Sequence, residues 1–128
     1  MEDNNLHLYL IGDGDDIRHR IELYLLNNDL NALTCFSQNL LNALDALKES
    51  VISTMDAEII YAGGDDIFFR VLKSRYQKSV IEKMLDNFLQ MTGSTFSFGV
   101  GENIEDAFLN LRRAKASGKG RLVESGVR

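Results

Sequence analysis

Apolar positions recur along this chain with two different periods, and the switches between them predict the order of its secondary structure. Leu6 to Ile11 (LHLYLI) is a short apolar run that predicts a buried strand, closed by the loop Gly12-Asp13-Gly14-Asp15-Asp16. Ile17, Ile21, Tyr24 and Leu25 then fall at helical spacing until Asn27-Asn28-Asp29 interrupts them. Asp29 is placed to cap a second helix, with Leu30, Leu33, Phe36, Leu40, Leu41, Leu44 and Leu47 on one apolar face. Residues 57–73 (AEIIYAGGDDIFFRVLK) read as two apolar strands joined by Gly63-Gly64-Asp65-Asp66. Ser74 is the expected cap of a third helix, with Tyr76, Val80, Met84 and Phe88 facing inward and Gly93 closing it. Thr95 to Val100 (TFSFGV) predicts a strand. Asn103 caps a fourth helix that carries Glu105 and Asp106 in its first turn and Arg112, Arg113 and Lys115 in its last. Gly118 ends that helix, and Arg121 to Glu124 adds a short edge strand.

The order is therefore βααββαβαβ. The helical crossover makes the first two strands parallel, and the hairpin that follows lets the third insert beside the first. The expectation is an α+β, ferredoxin-like sandwich: one antiparallel sheet with helices packed on it, forming a single domain over residues 1–128. Strands one and two end at the same edge of such a sheet. Asp13, which follows the first, is thus brought to Asp65 and Asp66, which follow the second.

Composition narrows the function classes. The 128 residues are 45% hydrophobic and 26% charged, ordinary for a globular domain with a sizeable core, and the net charge of -5 lacks the basic footprint of general nucleic-acid binding. The single cysteine, Cys35, excludes an intrachain disulfide, fits a reducing cytoplasm, and reads as a buried structural thiol in its apolar helical setting. His7 and His19 have no cysteine or histidine partners in sequence, so a zinc site is not expected. The N-terminus shows no basic segment followed by a signal-like apolar run, and no stretch is long enough to span a membrane.

Three carboxylates meeting at one sheet edge repel one another unless a cation neutralises them. Hard oxygen donors favour Mg²⁺ or Mn²⁺, which bind through a few carboxylates together with substrate phosphates. The plainer reading of Asp65 and Asp66 is that aspartate and glycine simply suit a hairpin turn; Asp13 at the matching edge favours the metal. Asp15 and Asp16 are both placed to cap the helix at Ile17, Asp16 the better. Gly14 leaves room for a ligand at the backbone beside that helix N-terminus. Arg112, Arg113, Lys115, Lys119 and Arg121 either complete the dipole of the fourth helix on a solvated face or, for Lys115 and Lys119, hold a triphosphate at its exit.

In combination, the segments LYLIGDGDDIR, YAGGDDIFF and FSFGVGE followed by LRRAKASGKGRL resemble a nucleotidyl-cyclase palm domain. They are most similar to the minimal CRISPR polymerase family, a stand-alone relative of the palm in type III CRISPR effector complexes that carries Gly-Gly-Asp-Asp; diguanylate cyclases of the GGDEF type are more distant relatives. The resemblance covers nearly the whole chain. It implies synthesis of a cyclic nucleotide signal from NTPs in antiviral defence. Asp13 then matches the metal-binding acid that ends the first strand, and Asp65 and Asp66 the signature acids that bind metal and help activate the 3′-hydroxyl. Gly63 and Gly64 would clear space for base and ribose, with Gly14 and Asp15 in the nucleotide loop. Arg18 stands where diguanylate cyclases place a phosphate-binding lysine, and Lys115 and Lys119 match the basic pair that grips the triphosphate. Ile21 replaces the asparagine with which those enzymes read guanine; an apolar residue makes no such hydrogen bond, so ATP and a cyclic di-AMP type product are implied.

A bare palm of this length has no fingers or thumb for a template. Two nucleotides that attack each other's α-phosphate are most simply brought together by a two-fold homodimer, with a downstream effector reading the product. The alternatives are a class III-type mononucleotide cyclase using the same acids and a catalytically silent palm that senses a nucleotide.

Overall fold

The computed structural model describes residues 6–127. Residues 1–5, part of the segment without a signal-peptide pattern, lie outside them, as does residue 128. The elements are β1 (His7–Gly14), α1 (Ile17–Leu26), α2 (Leu30–Met55), β2 (Glu58–Gly63), β3 (Asp66–Leu72), a 3-10 turn (Lys73–Arg75), α3 (Lys78–Thr92), β4 (Phe96–Gly101), α4 (Ile104–Ala116) and β5 (Leu122–Glu124). The five strands form one sheet in the order β2-β3-β1-β4-β5. Every neighbouring pair is antiparallel except β4 and β5. Because β1 and β2 both run antiparallel to β3, they share a direction, and β3 sits beside β1 as the sequence order predicts.

Alternation along the strands divides the sheet into two faces. Leu8, Leu10, Ile67, Phe69, Val71, Phe96, Phe98 and Val100 point to one face, where Phe36, Leu47, Val51 and Met55 of α2 and Ile81, Met84 and Phe88 of α3 complete the main core. α4 packs on the opposite face, against β4 and β1. Gly99 is the reason it fits. A Cβ built there would stand 2.1 Å from the Leu111 amide nitrogen and 2.2 Å from the Ala107 carbonyl oxygen, so the helix backbone lies directly on the strand. α4 reaches only as far as β1 and leaves β3 and β2 uncovered on that face. There an aromatic row runs from His7 through Tyr9 and Phe68 to Tyr61, with successive ring centroids 6.5, 6.4 and 5.9 Å apart.

The caps expected at Asp29 and Asn103 form: their side chains accept hydrogen bonds from the amides of Ala32 (3.1 Å) and Asp106 (2.8 Å). Gly93 ends α3 in the left-handed region, with φ 75°. Three expectations are corrected. Ser74 does not cap α3; it lies in the 3-10 turn, and Gln77 precedes the helix without a side-chain cap. Asp16 occupies the N-cap position of α1 but with φ 59°, and its carboxylate caps nothing. Cys35 is exposed rather than buried. At 26 residues, α2 is about 39 Å long, against about 27 Å for the eight-residue β1, and it is anchored in the core from Phe36 to Met55. Leu30 and Leu41 of α2 are exposed, as is Leu25 at the end of α1. No helix among the described residues is long and apolar enough to cross a membrane.

Candidate active site

The hairpin turn fixes two of the acids. Gly63 and Asp66 are paired across β2 and β3, leaving Gly64 and Asp65 as a two-residue turn. Gly64 has φ 60° while Asp65 keeps a negative φ, the pattern of a type II′ turn, which needs glycine first. A Cβ at Gly63 or Gly64 would meet nothing within 4 Å, so the approach to the turn is open. The Asp65 carbonyl accepts a hydrogen bond from the Gly14 amide at 2.8 Å, which ties the turn to the end of β1.

Strand register brings in the third acid. Asp13 stands directly opposite Asp66 in the β1–β3 ladder and opposite Ser97 in the β1–β4 ladder. Like charges facing each other across strands disfavour ionisation. The Asp13 carboxyl is held above its usual range by burial first; Lys115 opposes the shift, and Asp65 and then Asp15 add to it. Asp66 is raised as well, by burial and then by Asp13. Tyr61, on the uncovered face, has its phenol pushed up by burial and by Asp66 and Asp13, which sets it next to the acids. Among the described residues, no three His, Cys, Asp or Glu side chains stand close enough to hold a metal ion unaided.

Lys115 reaches this edge from the last turn of α4. Its Nζ lies 2.7 Å from Asp15 Oδ1, 3.1 Å from the Gly14 carbonyl oxygen and 3.4 Å from Asp13 Oδ2. An ammonium thus stands among the carboxylate and carbonyl oxygens that a hard cation would use, so the donor set suits Mg²⁺ or Mn²⁺. Lys119 pairs instead with Asp16 Oδ1, at 2.8 Å.

Asp15 turns inward and is 2% exposed. Besides Lys115, it accepts hydrogen bonds from the hydroxyls of Thr95 and Ser97, both at 2.8 Å, and from the Gly120 amide at 3.0 Å. Burial alone would raise its pKa; these donors, Lys115 first, outweigh burial and hold it below the usual carboxylate range. Its carboxylate is therefore committed inside the protein, where it anchors Lys115 and the turn after α4. Sequence reasoning missed Thr95, Ser97 and Gly120. Thr95 and Ser97 are two apart, hence on one face of the β4 segment, and a hydroxyl on a strand buried along its whole length is a usable sign of an inward polar partner.

Arg18 stands on the other side of the turn. It lines a cavity of about 280 Å³ with Ile17, Ile21, Leu40, Gly64 and Asp65. The structure thus gathers Asp13, Asp65, Asp66, Gly14 and Lys115 at one edge, with Arg18, Gly63 and Gly64 around the turn and Lys119 at the α4 exit. Leu40 lines the same cavity as Ile21; periodicity alone marks it only as a core position.

Residues 9–125 match the minimal CRISPR polymerase domain. No curated protein matches the chain in sequence. Among solved structures, it resembles a Csm1-Csm4 cassette in complex with cA4 (TM-score 0.68, 18% identity), covering 94% of this chain and 21% of that one. It also resembles the active GGEEF domain of a diguanylate cyclase from Vibrio cholerae (TM-score 0.54, 13% identity, 93% and 83% covered). A bacterial light-regulated adenylyl cyclase is similar too (TM-score 0.61, 8% identity, 90% and 73% covered). The chain spans about a fifth of the Csm1-Csm4 chain it matches. At these identities the likeness is one of fold alone.

Proposed function

The chain belongs to the minimal CRISPR polymerase family, and from that premise we propose that it is a divalent-metal-dependent nucleotidyltransferase that joins two ATP molecules into a cyclic dinucleotide of the cyclic di-AMP type, a signal in antiviral defence. The observation that carries this reading is the Asp13–Asp66 pair, set face to face beside Asp65 with Lys115 held against it. Two facing acids held above their normal pKa, by burial first and then by neighbouring carboxylates, are suited to receive a cation. Mg²⁺ or Mn²⁺, when bound, supplies charge neutralisation and polarises the reacting phosphate and hydroxyl.

The chain's own residues do the remainder. Asp13, Asp65 and Asp66 provide the carboxylates, with the Gly14 carbonyl beside them. Lys115 and Lys119 meet the triphosphate from the α4 side, and Arg18 from the α1 side. Asp15 serves as the anchor that holds Lys115 in reach. The adenine lies in the cavity between Ile21, Leu40 and the turn, where the apolar walls accept the ring and the open backbone of Gly63 and Gly64 clears the ribose. In each of two equivalent steps a ribose hydroxyl attacks the α-phosphate of the other nucleotide and pyrophosphate leaves, so two ATP give one ring and two pyrophosphates. A two-fold homodimer presents the two nucleotides to each other. The aromatic row at the edge of the acids supports a partner copy on that face. A separate effector then reads the product.

Purified protein incubated with each NTP and Mg²⁺ or Mn²⁺, with products identified by mass spectrometry, tests the reading; the Asp65→Ala/Asp66→Ala variant is the control. A cyclic dinucleotide made only by the wild type is the expected result. A cyclic mononucleotide would mean intramolecular attack at the same acids, and NTP binding without turnover would mean a sensor palm.

A further inference from the structure

Four oxygens surround the Lys115 ammonium: Asp15 Oδ1 at 2.7 Å, the Gly14 carbonyl at 3.1 Å, Asp13 Oδ2 at 3.4 Å and the Asp13 carbonyl at 3.5 Å. Only 26% of the side chain is exposed. Carboxylates mixed with backbone carbonyls make a shell for a hard cation, whereas an ammonium has three protons to offer four acceptors. A lysine that waited only for phosphate would more naturally extend into solvent, as exposed lysines do. Lys115 instead folds back onto the atoms from which a divalent ion would be held.

We propose that the Lys115 ammonium is the resident counter-cation of the acid edge in the nucleotide-free protein, and that the divalent ion arriving with the triphosphate displaces it from Asp13 and Gly14 toward the phosphates. This rests on the reading of the edge as a metal–nucleotide site. The two cations exclude each other, because an ammonium and a divalent ion on the same oxygens repel at contact distance. Lys115 can leave without stranding Asp15, whose carboxylate keeps the hydroxyls of Thr95 and Ser97 and the amide of Gly120. Two consequences follow for binding. Metal alone binds weakly, since it must evict a lysine that has nowhere better to go. Metal and triphosphate bind with positive coupling, since the phosphates give the evicted charge a partner.

Mn²⁺ titration of the full chain by electron paramagnetic resonance, without nucleotide, tests the displacement. Lys115→Met and Lys115→Gln are expected to bind Mn²⁺ at least about tenfold more tightly than the wild type. Their melting temperatures are expected to rise more on adding Mn²⁺. Equal or weaker Mn²⁺ binding in the folded variants would overturn the proposal. The wild type supplies a test that needs no variant for its readout: the ¹⁵Nζ resonance of Lys115 should shift when Mg²⁺ and a non-hydrolysable ATP analogue are added together, and an unmoved resonance with both bound would also overturn it. Tighter Mn²⁺ binding in the variants of a wild type that makes no product would retain the displacement and remove the cyclase reading. Unchanged Mn²⁺ binding beside normal wild-type turnover would remove the displacement alone.

Discussion

Replacing Asp15 with alanine should separate a residue that holds the site from one that touches the substrate. The carboxylate has a side-chain exposure of 0% and receives Lys115, two hydroxyls and one amide. The losses are unequal. Gly120 keeps a second acceptor, Ser97 Oγ at 2.9 Å, and half-buried Lys115 keeps Asp13 and Gly14. Ser97 is wholly buried and its hydroxyl loses the Asp15 carboxylate to which it donates, which costs about 1–3 kcal/mol. Removing one partner of a buried ion pair costs about 3–5 kcal/mol, reduced here because Lys115 retains other oxygens. A net loss of about 3 kcal/mol is expected, a fall of about 10 °C in Tm for a domain of this size. The pH dependence follows from the sign of the shift. Because the folded carboxyl is held below its ordinary range, its stabilisation is complete above the unfolded pKa and fades as pH falls through the folded one. Thermal melts of the wild type and Asp15→Ala from neutral to acid pH should therefore converge. A fall in Tm under about 2 °C, or a gap that widens in acid, would refute the anchor role.

Three other perturbations probe different parts of the molecule. Tyr76 donates to Glu124 Oε2 at 2.6 Å, and burial together with that carboxylate raises its phenol; wild-type stability should drop as pH climbs past the ordinary tyrosine range, and Tyr76→Phe should flatten that alkaline limb in denaturant titrations while costing about 2 kcal/mol at neutral pH. Gly99→Ala forces a methyl into the α4 backbone and should destabilise by about 3 kcal/mol or more, seen as early urea unfolding; a normal midpoint would mean α4 does not sit as described. Arg20 donates to the Thr92 carbonyl, the Ser94 hydroxyl and the Tyr24 hydroxyl, and its guanidinium lies 4.2 Å from the centre of the Phe36 ring; Arg20→Ala should lower stability by about 2–3 kcal/mol in the same assay, and an unchanged midpoint would make this network ornamental.

The element order was legible because each segment carries its own period and its own stop signals. Asp29, Gly93 and Asn103 act where a cap is a local matter, one side chain on one amide. Ser74 and Asp16 failed because distant contacts set the backbone at those points. The chain leaving β3 is held by a hydrogen bond from the Lys73 amide to the Leu6 carbonyl, which continues the sheet edge before α3 can begin. At Asp16 the chain is turned into the left-handed region, directly after Asp15 has bonded the Thr95 carbonyl through its amide. Cys35 shows the limit of residue type: it sits one position off the stripe that carries Phe36 into the core, so its apolar character did not place it inside. At the site, the meeting of Asp13 with Asp66 was readable from strand direction alone. The position of Lys115 was readable only as proximity to phosphate, since its contacts with Asp15 and Gly14 depend on how α4 lies across Gly99. Asp15 was misjudged for the same reason: its partners are about 80 and 100 residues away.

The central claim is that Asp13 joins the hairpin acids in one catalytic edge, and pyrophosphate release from ATP measures it most directly. Free of metal and nucleotide, Asp13→Asn should fold with a Tm at or above that of the wild type, because a carboxyl held above its usual pKa opposes folding once ionised. With Mg²⁺ and saturating ATP, its pyrophosphate release should fall at least about a hundredfold, since losing even an outer-shell partner of a metal ligand costs about 10–100-fold. Undiminished release by well-folded Asp13→Asn would contradict the account.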